Sequence, residues 1–400
     1  MTVLSFKTVG LIFKKELSDL FRDKKTVLVG ILIPLLLLPI MFYFMSAGIE
    51  KTAKKENFNI AIEDKGKSSL DKFLKEKDDL NIKTIEFDEA EDKVKNGEIA
   101  VVITIPDNFE ENIKNGVQTN IDVIYDDSSQ TSSMVFSKVN QYIGEFSQNV
   151  VKTTLTNRGI DPSVLLPVNI NKKTIVEEDD GVSKMIMSMI IPLFIVLYCV
   201  TGPLPAATDL GAGEKERGTL EPLLTTKASR LSILYGKVFA ITVLGIITAI
   251  AAIAGLVISF KISPGVFGGG VENFDIGISP LAILIIFTFT VLTSMAFGAL
   301  ELAISIYARS FKEAQTYTTP LTILAFVPTF LMYTVDGKNI DNIYFHIPIA
   351  NVMSILKEVT LGVINIQHIL VVLGWMIAYI VISVAIARYM FNKENVIFRT

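Results

Sequence analysis

The stretch GEKERGTLEPLLTTKASR, from Gly213 to Arg230, decides the fold, because it is a short charged segment held between two long apolar runs. Upstream, Met185 to Ala207 carries no charged residue, and downstream Leu231 to Phe260 carries only Lys237. Each run reaches the length a helix needs to cross a bilayer, about 20 residues. The segment therefore reads as a tight connector on one face of a membrane. Within it Glu214, Lys215, Glu216 and Arg217 form a first charged turn, and Leu220, Leu223 and Leu224 recur at helical spacing. That pattern predicts one small amphipathic helix over Glu214–Leu224, lying at the surface with its apolar side free to dock on lipid or on a partner. Gly218 is expected to permit close backbone approach and Pro222 to stiffen the turn, with Thr219 and Glu221 on the polar side. The plainer reading is a solvated charged face.

Working outward, residues 1–25 read as an interfacial helix, with Phe6, Val9, Phe13, Leu17, Leu20 and Phe21 on one side and Lys14, Lys15, Glu16, Asp19 and Arg22 on the other. A first span follows at 26–48, too long for the apolar core of a cleaved signal peptide, so an uncleaved anchor is expected. Further spans are read at 185–208, 231–260, 280–308, 316–335 and 367–390, giving six in all. The basic residues Lys215, Arg217, Lys227 and Arg230, then Arg309 and Lys312, then Arg388, Lys393 and Arg399 all fall on one side of this count. The positive-inside rule makes that side cytoplasmic, with both termini and the 391–400 tail. Between the last two spans, 336–366 is interrupted by Pro348, Lys357, Glu358 and Gly362 and is expected to dip into the outer leaflet as two short helices and return.

Residues 49–184 differ in kind. They are rich in Lys, Glu, Asp and Asn, and strand patterns at 59–64, 82–87, 98–105 and 121–126 alternate with helical ones at 69–77, 88–96 and 106–115. A long amphipathic helix is expected from Ser132 to Leu155. The fold class is thus an α-helical polytopic membrane protein with an inserted α/β domain, which the charge rule places outside the cell.

Composition agrees: half of the residues are hydrophobic and the mean hydropathy is +0.48. The basic residues sit at span ends rather than in one stripe, so nothing points to nucleic acid. The single cysteine, Cys199, lies in an apolar run and reads as a buried thiol. His346 and His368 have no metal-ligand partner at the usual spacing, and no phosphate-binding loop of the form G-x-x-x-x-G-K-[ST] occurs. The chain is not read as an enzyme and is expected to bind no cofactor.

Polar groups inside spans are the pointers to a transported species. Glu301 lies within the fourth span, and Thr290, Ser294, Gly298, Glu301 and Ser305 recur at three and four residues along one side of it. A hydroxyl ladder leading to one carboxylate suits a hard cation. The alternative is a packing seam with Glu301 tied to a basic group such as Arg309. Asp209, just past Pro203 and Pro205, reads either as part of a proline hinge near the pathway or as the cap of the following helix. Lys357 and Glu358 are expected to pair with each other or face water at the surface.

The sequence EKERGTLEPLL between two spans, KKELSDLFRDKKT before the first, SFKEAQTY at 310–317 and IPIANV at 347–352 together resemble the ABC-2 type permeases, and the NatB-like sodium-exporter branch in particular. The resemblance covers nearly the whole chain. It implies a type V ABC exporter-like fold, a homodimer of permease subunits, and two copies of a separate ABC ATPase subunit that carry the ATP and Mg. It also implies that Glu214–Leu224 is the coupling helix seated in that ATPase, and it puts sodium first as the exported species. Drugs, peptides or lipid-linked substrates compete with sodium. A membrane scaffold or sensor with an outer ligand-binding domain is a reading of a different class.

Overall fold

Two separate hydrophobic budgets divide the chain. In the computed structural model, which describes residues 5–24, 28–53, 59–64, 66–77, 79–83, 90–165, 168, 173, 178–263 and 278–393, one unit is formed by 1–44 with 174–400 and the other by 45–173.

The first unit is helical. Helix α1 (Phe6–Arg22) begins at Ser5, whose hydroxyl accepts from the Thr8 amide. A π-helical turn over Leu28–Leu32 leads into α2 (Ile33–Ala53). After the inserted domain come α7 (Glu178–Thr201) and α8 (Leu204–Thr208), then a π turn over Asp209–Gly213 and a last helical turn Glu214–Glu216. Helix α9 is the five-residue Leu220–Leu224, followed by α10 (Arg230–Ile262), α11 (Pro280–Tyr307) and α12 (Phe311–Tyr333). A 3₁₀ turn at Asn342–Phe345, α13 (Ala350–Thr360) and α14 (Ile366–Asn392) complete the unit.

Among the described residues, five helical stretches are long and apolar enough to cross a membrane: Gly30–Gly48, Lys184–Glu216, Arg230–Ile262, Pro280–Tyr307 and Ile366–Asn392. The sixth expected span, 316–335, is helical within α12 but is not among the five. It holds Pro320 and Pro328, and its hydroxyls bond its own carbonyls, Thr318 to Ala314 and Thr329 to Ala325, which lets a proline-bearing helix persist among apolar neighbours. The loop that carries Glu272 and Asp275, and Arg399 in the tail, lie outside the described residues.

The helical path continues across Pro203 and Pro205. Only Gly202 and Pro203 separate α7 from α8, and hydrogen bonds from Gly202 N to Tyr198 O and from Ala207 N to Pro203 O carry the helical path across the gap. Pro203 sits at the start of α8, where a missing amide costs nothing.

The inserted unit is a four-stranded sheet in the order β2-β1-β3-β4, with β1 (Asn59–Asp64) parallel to β2 (Asn81–Lys83) and β3 (Val101–Ile105), and β3 antiparallel to β4 (Asp122–Tyr125). Alternation in the strands sorts the two faces. Ile60, Ile62, Val101, Ile103 and Ile105 pack with α3 (Ser69–Lys75), α5 (Phe109–Asn115) and the first half of α6 (Gln130–Asn157), while Ala61 and Val102 face α4 (Ala90–Lys95). The 84–87 half of the strand expected at 82–87 lies outside the described residues.

Candidate functional site

The segment Glu214–Leu224 is two pieces, not the one amphipathic helix expected. The helical path ends at Arg217, and Gly218 adopts φ +69°, a left-handed C-terminal cap that turns the chain before Leu220 restarts it. A side chain at Gly218 would meet nothing within 4 Å, so the glycine is there for its backbone conformation and not for close approach.

Each of the four charged residues before that cap is held by a different element. Glu214 is buried and accepts from Lys237 Nζ at 2.6 Å. Lys215 Nζ donates to the carbonyls of Ile306 and Ala308 at 3.2 and 3.1 Å, capping the end of α11. Glu216 Oε2 accepts from the Phe311 amide at 2.9 Å, at the start of α12. Arg217 pairs with Asp209 at 2.7 Å. Asp209 therefore caps no helix; it braces the turn from the opposite side. These charges form a hub that ties α10, α11 and α12 to one segment, with Glu216 and Arg217 still exposed.

Helix α1 joins the same hub. Its buried face is Val9, Ile12, Glu16 and Leu20, whereas Phe6 is 84% exposed and Phe21 43%. Of the apolar side expected from spacing, Val9 and Leu20 are buried and Phe13 and Leu17 half-buried, and Glu16, assigned to the polar side, is fully buried. The cause is α10: a side chain on Gly236 would come within 2.6 Å of Ile12 Cγ2, so the glycine admits α1 against α10 along this face. Glu16 then meets Lys237 at 3.2 Å, and Lys15 bridges Glu16 and Glu214 at 3.1 and 3.4 Å while also meeting Asp19 at 3.4 Å. Burial alone would depress the Lys15 ammonium, yet the carboxylates of Glu16, Glu214 and Asp19 hold it above its ordinary value.

The segment leaves Glu216, Arg217, Gly218 and Thr219 exposed at the cap, and more beyond it. Leu220 is 2% exposed and belongs to the core with Ala206, Leu210 and Leu234, but Glu221 and Pro222 are exposed and Leu223 and Leu224 half-buried.

The stripe on α11 is a packing seam. Thr290 Oγ1 donates to Ile286 O at 2.7 Å and Ser294 Oγ to Thr242 O at 3.2 Å. Ser305 Oγ donates to Thr208 O at 3.1 Å and accepts from the Ala212 amide at 2.8 Å, entering the backbone ladder where the π turn opens it. A side chain on Gly211 would come within 2.3 Å of that hydroxyl. The hydroxyls thus bond backbone carbonyls. Glu301 differs: it is 1% exposed, and neither carboxyl oxygen has a hydrogen-bond partner among the described residues. The expected tie to Arg309 is absent, and the Arg309 amide instead donates to Glu313 Oε2 at 2.7 Å.

A family model for the ABC-2 family transporter protein matches residues 24–389. The chain belongs to the ABC-2 transporter family. The ABC transporter permease protein NatB of Bacillus subtilis strain 168 is 30% identical over 389 residues, which is 96% of this chain and 98% of that protein. This ABC-2 permease is accordingly a multi-pass membrane subunit of an ABC transporter, and its charged hub belongs to such a subunit.

At the opposite end of α12 the permease carries a second set of buried charges. Lys357 is fully buried and donates to the last carbonyls of α12, Met332 and Tyr333, at 2.7 and 2.8 Å. Glu358 is 7% exposed and pairs with His368 Nδ1 at 2.9 Å, and the imidazole stacks on Phe345 with ring centres 3.9 Å apart. Lys357 and Glu358 therefore neither pair with each other nor lie at the surface; adjacent residues on a helix point apart, and each finds its partner on a different element.

Proposed function

We propose that this ABC-2 permease subunit is the membrane half of an ATP-driven exporter that moves cations, sodium first, and draws its force from a separate ATPase. The observation that carries the reading is the hub. Three consecutive charged residues, Glu214, Lys215 and Glu216, each hold a different helix, α10, α11 and α12, and Arg217 closes on Asp209, while the next helix, α9, stays open to a partner. A push on α9 enters the hub through the Gly218 turn and displaces the ends of α10, α11 and α12 together with α1, a rigid-body transition rather than a local one. The ATPase surface is Glu221, Pro222, Leu223 and Leu224, and Glu214–Arg217 are the linkage behind it. In this reading the hub faces the cytoplasm with both termini, 49–184 lies outside the cell, α12 is the sixth span, and two permeases of type V architecture bind two ATPases that hold ATP and Mg.

Glu301 supports the cation as substrate. A carboxyl group buried in a span without a partner is costly unless another conformation supplies one, and a passing cation does so. Family membership sets this reading ahead of a scaffold or sensor. A second substrate class, apolar drugs or lipid-linked compounds, is favoured by a cavity of about 200 Å³ between α7, α11, α12, α13 and α14, walled by Val196, Ala296, Phe297, Leu324 and Met376.

The test is sodium efflux from vesicles holding this chain with and without its ATPase. Efflux is expected only with the ATPase, to fall at least tenfold in Glu301→Ala, and to vanish in Leu224→Asp together with ATPase binding while folding is kept. Efflux without the ATPase would overturn the coupling, and unchanged efflux in Glu301→Ala would remove the cation site.

A further inference from the structure

The inserted domain contains a cleft that transport does not use. Helix α6 buries Ser132, Val135 and Val139 on the sheet and packs Tyr142, Ile143 and Phe146 more partially against the same core. Its second half continues the same helical face through Phe146, Val150, Thr154 and on to Arg158, four residues apart each time, but diverges from α3 and α5. Two cavities of about 750 and 530 Å³ flank this row, and both are lined by Phe146, Val150, Thr154 and Arg158 together with Ile113 of α5. Phe146 sits at the closed end, its ring 5.5 Å from Phe73 and 6.3 Å from Phe109. The row rises from aromatic to cationic over twelve residues, about 18 Å along the helix.

The rim is basic. Lys72, Lys114 and Arg158 are exposed at the cleft and make no ion pair among the described residues, and Glu76 is the one acidic residue lining either cavity. An apolar floor that ends in a cationic rim, where Glu110 lies near Lys114 and Lys72, and Arg158 stands at the end of the row, is complementary to a molecule with a long apolar chain and an anionic head. We infer that the α6 cleft binds a single-chain anionic amphiphile of the fatty-acid type, its chain along Val150 and Phe146 and its carboxylate at Arg158, with Lys114 and Lys72 adding to the attraction. The two faces of the ligand are read separately: loss of the charge leaves the chain without an anchor, and loss of the apolar floor leaves the head without a seat.

The site lies wholly within the inserted unit, so its test is independent of the ATPase and of the exported species. Full-length protein in phosphatidylcholine nanodiscs is irradiated with hexadecanoate bearing a diazirine on its chain, and the labelled peptides are mapped by mass spectrometry. Labelling is expected in peptides covering 109–121 and 143–158, to fall at least about tenfold in Arg158→Glu and in Val150→Asp, to persist in Arg158→Lys, and to be weak with the methyl ester of the same probe. Label confined to the spanning helices, or cleft label equal for acid and ester, overturns the proposal. Arg158 is exposed, so Arg158→Glu and the ester comparison decide the matter even where Val150→Asp fails to fold.

Discussion

Replacing Lys237 by Met removes the fully buried ammonium of the hub and leaves Glu16 and Glu214, 0% and 4% exposed, with Lys15 as the one cation within salt-bridge distance of them among the described residues. Lys15 is itself half exposed and already shared with Asp19, so it neutralises one carboxylate and strands the other. Breaking a buried pair in this way costs about 3–5 kcal/mol, because a charge stays in the interior without compensation. On a unit of this size the loss corresponds to a melting temperature lower by roughly 5–10 °C. Adding Glu214→Gln restores one anion for one cation, Lys15 against Glu16, and is expected to recover about 1–3 kcal/mol of the loss as a coupling energy. The assay is thermal unfolding of the purified full-length protein in detergent, for the wild type, both single variants and the double. Wild-type melting in Lys237→Met, or losses that simply add in the double variant, would refute the buried ion network. The same pair of variants separates stability from transmission: the double variant should melt above Lys237→Met and still lose ATP-driven transport, since Glu214 no longer grips α10.

Three further outcomes follow from the same packing. Gly236→Ala is expected to cost about 1–3 kcal/mol by overpacking against Ile12, and to expose α1 to limited proteolysis ahead of the rest of the unit. Gly218→Ala puts a side chain on a φ of +69° and should cost about 1–2 kcal/mol, while Gly218→Asn costs less because asparagine tolerates the left-handed region; melting curves and pull-down of the ATPase read both. Leu220→Asp is expected to lower expression and folding rather than coupling alone, since Leu220 is 2% exposed, so protein yield distinguishes it from Leu224→Asp.

Five of the six expected spans and the strands of the sheet were legible because apolar length and period-two alternation are local signals, carried by the residues that form each element. Glu16 was not, because a helical wheel reports which face is apolar but not what the helix lies against. The groove at Gly236 sets Ile12 and Glu16 against α10 and leaves Phe6 and Phe21 exposed. The ion partners were hidden for a related reason, since Lys15 and Glu214 are 199 residues apart and nothing in either neighbourhood marks the other. The π turn at Asp209–Gly213 shares this character: it needs Gly211 and Ser305, one on each of two helices, and neither residue signals it alone. Spacing on α11 was read correctly as a stripe, but a stripe of small and hydroxyl residues serves a close helix contact as well as a pathway, and only the acceptors on Thr242 and Thr208 distinguish the two.

This division of polar groups bears on how motion would pass through the molecule. Hydroxyls that donate to neighbouring carbonyls lock α11 to α10 and to the π turn, and Lys215 fixes the end of α11 to the hub, so these helices have little freedom to slide past one another. A π turn is the weak point in such an assembly, because it already carries an extra residue and a hydroxyl in its ladder, and it lies one turn from the hub. Displacement of Glu214–Arg217 would therefore be taken up first at Asp209–Gly213, where the Arg217–Asp209 pair spans the turn from outside. Asp209→Asn isolates this step: it removes an exposed ion pair worth about 1 kcal/mol or less, leaving melting nearly unchanged. A coupled hub then predicts reduced transport per ATP hydrolysed with normal ATPase binding, whereas a hub that serves only to hold the helices together predicts wild-type transport.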